Sequence, residues 1–241
     1  MRWTSLFLFA FATQAASTDS LVIPPTRLSV TIEQHPVAIT TSGTVKRVKS
    51  AEDLYAVALT ADLSEFQQNL TAILKPQIDR SDKCGDRVEL QSATLAPQAP
   101  AGLATVQVHY ERWGCVKALG KQLAKKLVAG NGTIPVKLTP VLENNTVHIV
   151  TEAGEIQADG SLGELLRSGN LGDALREKIQ KSLQAGVDKS TDWKATVPAT
   201  LQAMVTFRTI QFRDAGDGHL ALDVTGDVRL PEGTLQALKP R

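Results

Sequence analysis

The chain has 241 residues, and its 26 Lys+Arg against 25 Asp+Glu leave a formal net charge of +1. So even a balance gives no global field to draw in nucleic acid or an anionic membrane. An aromatic content of 5% speaks against an aromatic-lined sugar site or a base-stacking surface.

Residues 1–16 have the layout of a secretory signal peptide. Arg2 precedes an apolar run from Leu6 to Ala12, and small residues follow up to a cleavage point near Ser17. The run is too short for a permanent bilayer anchor, and no later stretch reaches transmembrane length. The mature protein is therefore expected to be exported to the periplasm of a Gram-negative cell, with no transmembrane segment. Residues 17–50 are rich in Ser and Thr and hold Pro24, Pro25 and Pro36. The alternation Leu28, Val30, Ile32 predicts one strand in an otherwise loose, partly extended arm. The basic run Lys46, Arg47, Lys49 reads as a solvated turn.

Residues 51–241 are expected to form one domain. Tyr55, Val57 and Leu59 alternate as a strand. Ser64 with Gln67 three residues later forms a capping box that opens a helix. Phe66, Leu70, Ile73 and Leu74 share one face of it, and Pro76 should end or kink it. Val88 and Leu90, then Leu103, Val106, Val108 and Tyr110, alternate as two strands joined by a loop over residues 96–102, APQAPAG. Residues 117–129, KALGKQLAKKLVA, are ambiguous. Leu119, Leu123 and Leu127 fit a basic amphipathic helix that lies on a membrane or a partner. With only three large apolar positions, a short packing helix or a strand with a solvated basic face is the favoured reading.

Ile134, Val136 and Leu138 form a further strand, and Val147 and Ile149 follow after the turn Glu143-Asn144-Asn145. Ile156 and Ala158 give a short one. Ser161 with Glu164 is a second capping box opening a brief helix. Residues 170–187 then carry Leu171, Leu175, Ile179, Leu183 and Val187, each four apart, opposite a charged face. This is an amphipathic helix that needs a cover to be stable. Val205 and Phe207 face one way, and Ile210 and Phe212 continue with the phase shifted, as at a bulge. After a turn at residues 215–218, strict period two runs from Leu220 to Leu230. Strands come in runs with short turns between them. That predicts an α+β fold with an antiparallel sheet.

Export also sets the reading of the two cysteines. Cys84 and Cys115 are an even pair in an oxidising compartment, which predicts a disulfide. It would close a loop of about 30 residues, worth about 3–4 kcal/mol on the chain-entropy model. Two lone cysteines with no nearby His lend little support to a metal site or a reactive thiol.

The helix LREKIQKSLQAGV, followed by VTFRTIQFRDAGDGHLALDVTGDVRL, resembles bacterial members of the tubular lipid-binding superfamily, the BPI- and SMP-like proteins. ERWGCVK and VKLTPVLENNTVHIV also resemble an uncharacterised exported group near that superfamily. The likeness covers roughly residues 54–230. It implies a strongly curved antiparallel β-sheet wrapped around a long amphipathic helix, with an apolar groove between them that holds a lipid.

No chemistry is legible. His35, His109, His148 and His219 lie far apart, and none has a His or Cys at zinc-ligand spacing. The nucleophile elbow, the P-loop and the dinucleotide-binding glycine pattern are all missing. Residues 214–218, DAGDG, lack the spacing of a calcium loop and fit a hairpin turn. No catalytic residue, metal or cofactor is therefore expected. If a groove exists, its walls should be Phe66, Leu70, Ile73, Leu175, Ile179 and Leu183, the stripe residues of the two helices. The expected partner is then a lipid or other apolar small molecule, with no role for nucleic acid. The alternative is a structural or adaptor protein that binds an envelope protein through a sheet edge or the basic segment between Lys117 and Lys126.

Overall fold

The computed structural model describes residues 20–32, 34–49, 53–118, 121–158, 160–168, 170–190 and 204–231. The expected leader lies outside them. The fold is mostly antiparallel β, with the helices in a minority. One sheet is built from β1 (Ser20–Ile32), β2 (His35–Arg47), β3 (Leu54–Asp62), β10 (Val205–Asp214) and β11 (Leu220–Arg229), in the order β1-β2-β3-β11-β10. The other holds β4 (Arg80–Ser81), β5 (Gly85–Gln98), β6 (Ala101–Ala118), β7 (Lys121–Glu143) and β8 (Thr146–Ala153) in that order, with β9 (Gln157–Ala158) on β7. The helices are α1 (Ser64–Ile78), α2 (Gly160–Ser168) and α3 (Asn170–Ser190).

The segment expected as a loose arm is regular. β1 and β2 pair from Ser20↔Lys46 to Ile32↔His35, so one predicted strand becomes a hairpin built into the first sheet. Pro24 and Pro25 fall at the register shift between Ile23 and Thr26. Lacking an N–H, they fit there because β1 is an outer strand. The predicted loop at residues 96–102 shrinks to a two-residue turn, Ala99–Pro100, with strand on both sides. Of the 117–129 segment, the described residues 117–118 and 121–129 are strand, and Lys121–Glu143 is one 23-residue element. Of the readings left open, the strand holds; periodicity could not choose because leucines four apart lie on one helix face and also on one strand face. The β7–β8 turn falls as expected at Asn144 and Asn145, whose positive φ of 49° and 59° suits a tight hairpin. The phase shift in the tail is a bulge between Phe207 and Thr209.

The expected capping box at Ser64 does not form. The residue before the helix, Leu63, has no side-chain cap. The Asp62 carboxylate accepts from the Ser64 backbone N–H at 2.9 Å instead. Gln67 points away from the helix start, for a reason given below. Pro76 lies in the last turn, and the helix closes two residues later at Ile78.

One core joins both sheets and all three helices. It takes Val106, Val108, Tyr110, Ile134, Val136 and Leu138 from the central strands of the second sheet, and Phe212, Leu220 and Leu222 from the first. Leu162 of α2 presses onto β7 at Gly130, where an added Cβ would meet Leu162 Cδ2 at 2.8 Å. A smaller cluster of Val45, Tyr55, Val228 and Leu230 lies elsewhere on the first sheet.

Candidate functional site

The two amphipathic helices and the second sheet form the candidate site. The pairing order leaves the backbone of β5 and of β8 open along most of one side. Each open side is closed by a helix through side chains spaced four apart. On α1, Gln67 Nε2 donates to Leu95 O at 2.7 Å. Thr71 Oγ1 accepts from Ala93 N–H at 2.9 Å and donates to Ala93 O at 3.1 Å. Lys75 Nζ donates to Leu90 O at 3.1 Å, and Asp79, just past the helix, accepts from Leu90 N–H at 2.7 Å. A strand's free N–H and C=O groups must be satisfied when covered, and this row satisfies them.

α3 does the same for β8 with two residues. Gln180 Nε2 donates to Thr151 O at 2.7 Å, and Gln184 Nε2 donates to Ile149 O at 2.5 Å. Gln184 Oε1 accepts from Thr151 N–H at 3.2 Å and from its hydroxyl at 3.0 Å. Thr151 is 2% exposed, so these bonds replace water entirely. α1 also packs on α3, where Lys178 Nζ donates to Ile78 O at 3.0 Å, a cation on the carbonyl end of the first helix. The circuit β5-β6-β7-β8-α3-α1 is therefore closed, and the sheet curls toward its helices.

The predicted wall residues all face into this circuit. Phe66 and Leu175 are 5% exposed, Leu70 and Leu183 1%, and Ile73 and Ile179 0%. All six belong to the one core cluster and are packed by side chains. In the polar rows beside them, Gln67-Thr71-Lys75 and Gln180-Gln184, Gln67 reads in the sequence as part of a capping box and the others as solvated faces. The signal was present: uncharged amides and a Thr at spacing four, adjacent to an apolar stripe.

Cys84 and Cys115 are joined, with a Cα–Cα distance of 5.6 Å and a sequence separation of 31. The bridge ties the turn before β5 to the far part of β6. Beside it, on the outer face, a cleft of about 450 Å³ is lined by Asp79, Arg80, Arg87, Glu89, His109 and Glu111 among others. Its charges are paired: Asp79 meets Lys75 at 3.0 Å, Arg80 meets Asp82 at 2.6 Å, and Arg87 meets Glu111 at 3.9 Å. The Lys126 ammonium, and after it the Trp113 indole N–H, hold the Glu111 carboxyl down at about 2. Glu111 is then ionised at neutral pH. Burial, and then its hydrogen bond to Asp86, push the Tyr110 hydroxyl above its ordinary range, so it stays protonated. His109 lies outside the core, with Nδ1 2.8 Å from Asn131 Oδ1. Among the described residues no three His, Cys, Asp or Glu side chains gather to hold a metal. Among them, too, no helix is long and apolar enough to cross a membrane.

No protein-family model matches the chain, and no curated protein matches it by sequence. Among solved structures, the crystal structure of a lipopolysaccharide binding protein is similar at a TM-score of 0.37 and 12% identity, over 73% of this chain. The chain spans 33% of that protein's length.

Proposed function

We propose that this is an exported, periplasmic, non-catalytic binding protein that takes a lipid or another apolar molecule between its helices and its second sheet. In this reading the curled sheet wraps around α3 and the chain is a bacterial member of the tubular lipid-binding superfamily. One observation carries the proposal. The apolar interior is closed on the β8 side by the side chains of Gln180 and Gln184 rather than by a backbone ladder. α3 can therefore lift from β8 without breaking any strand pairing. An acyl chain entering there meets Leu175, Ile179 and Leu183, and apolar burial supplies the driving force. Gently purified protein, examined by native mass spectrometry, should carry a co-purified lipid or take up an apolar fluorescent probe. A protein that is empty and does not respond to the probe rejects the proposal.

The packing of all six stripe residues at 0–5% exposure supports a second reading. On that reading the interior is an ordinary core, and the protein is an envelope adaptor that works through its surface. The same measurement separates the two.

A further inference from the structure

The hairpin of β6 and β7 outgrows its sheet. β5 reaches β6 only as far as Gly85↔Trp113, and β9 and β8 pair with β7 only from Gly132 onward. Residues 114–118 and 121–125 therefore pair with each other alone, as a two-stranded arm. A lone ribbon of this kind is marginal in water. Here its base is fixed, by the Cys84–Cys115 bridge and by Trp113, which has the Arg87 guanidinium 4.2 Å from its ring centroid.

The arm shows apolar side chains where a solvated hairpin would show polar ones. Val116 is 68% exposed, Leu123 59% and Leu127 62%. Val116 and Leu123 are direct partners across the pair. Leu127, at the register shift next to Trp113, lies against Gly114, whose added Cβ would sit 3.0 Å from Leu127 Cδ1. The three thus form one patch, with Lys125 exposed on the same strand face as Leu123. Residues 112–128 contain Arg112, Lys117, Lys121, Lys125 and Lys126 and no acidic residue, while the whole chain has a net charge of only +1. Arg112 is met by Asp86 at 3.8 Å and Lys126 by Glu111 at 2.8 Å, both at the arm's base, so the local excess of positive charge rests on the lysines further out.

We propose that this arm docks the protein onto an anionic lipid surface, with Val116, Leu123 and Leu127 entering the headgroup layer and the arm's cations meeting the phosphates. Exposed apolar side chains beside an exposed lysine, on a hairpin end whose sequence is basic, match an interface that is apolar beneath and anionic above. The disulfide gives the arm a fixed direction, so that insertion does not first have to order it. The docking is independent of whether the interior holds a ligand.

The test is sedimentation of the full disulfide-bonded chain with vesicles of phosphatidylcholine containing about one-third phosphatidylglycerol, against pure phosphatidylcholine. The wild type should bind the anionic vesicles and release in high salt. Leu123→Asp with Leu127→Asp should weaken binding roughly tenfold or more, since both apolar anchors become charges. Lys125→Ala should weaken it about fivefold. Val150→Asp, which adds a charge at an exposed site on β8, should leave binding within about twofold. All these sites are exposed, and circular dichroism checks that the variants fold. The proposal is overturned if the wild type ignores anionic vesicles, or if the double Asp variant binds like wild type. It also fails if Val150→Asp does equal harm, or if the double Asp variant instead dissociates a dimer.

Discussion

The two helices close the second sheet on opposite sides, and they do so unequally. α1 fastens β5 through Gln67, Thr71, Lys75 and Asp79. Its chain then runs into β4, whose Arg80 and Ser81 pair with Val88 and Arg87. Just beyond, Cys84 is bridged to Cys115. α3 fastens β8 with two glutamines, and residue 190 is the last of its helix. Closing an open strand by side chains allows a helix to act as a stave of the circuit. How many side chains do so, and whether covalent or backbone links back them up, separates a fixed stave from one that can part. Among the described residues α1 has such backing links, and in the proposed function α3 is the side that opens.

Core truncation gives the largest effect. Ile73→Ala and Ile179→Ala remove equally buried side chains, each costing about 2–5 kcal/mol. With Ile73→Ala the loss should appear in full in denaturant unfolding. With Ile179→Ala part of it should appear as faster amide exchange confined to α3 and β8. Equal, purely global losses would erase the distinction between the two sides. Replacing Cys84 and Cys115 together by Ser should cost about 2–4 kcal/mol. It should also narrow the gap in exchange rate between α1 and α3, which unchanged exchange at α1 would contradict.

The rows themselves come next. Thr71→Val leaves the Ala93 N–H without its acceptor, and Gln184→Leu strips partners from Thr151 and Ile149. Each should cost about 1–3 kcal/mol. Only Gln184→Leu should speed uptake of an apolar probe. Equal acceleration by Thr71→Val would place the opening elsewhere.

The smallest effect is on pH dependence at the start of α1. The hydrogen bond from the Ser64 side chain holds the Asp62 carboxyl below its ordinary value of 3.8. Because its pKa is depressed in the folded state, its contribution is fully present above about pH 4. It is lost as the pH falls below 3.8 and through the lowered folded value. Asp62→Asn should flatten acid unfolding slightly in that window. The group is largely solvated, so screening keeps the change small. A steep acid transition that survives in Asp62→Asn would assign the acid sensitivity to another carboxylate.

The apolar stripes of α1 and α3, the tail bulge and the Asn144–Asn145 turn were legible because each rests on local periodicity or turn chemistry, and the cysteine pair because two cysteines in an expected oxidising compartment allow one bridge. The extent of β6 and β7 was not. Their far ends carry leucines at a spacing that serves helix and strand alike, and only the pairing in register decides between them. Gln67 was misread for a related reason. Three residues after Ser64 it matches a capping box, yet the free carbonyls of Leu95 and Gly218 and the free N–H of Leu220 claim it. Tertiary hydrogen bonds outcompeted a local one. The six stripe residues are buried in the core, as the helical periodicity predicted. That they are joined to a sheet by the polar rows beside them depends on which strand edges lie open, and that is a property of topology.

The outer strand β10 carries one further consequence. Near its start, the side-chain amide of Asn145 donates to Val205 O at 2.6 Å and accepts from Phe207 N–H at 2.7 Å, as a neighbouring strand would. Further along, Phe212 N–H donates to Pro100 O at 2.9 Å. Both partners are hairpin tips of the opposite sheet. With its margin occupied at these points, β10 offers a stranger's strand little continuous template. Asn145→Ala would free one end of that margin, and the fault to expect is self-association into β-rich aggregates when the protein is concentrated.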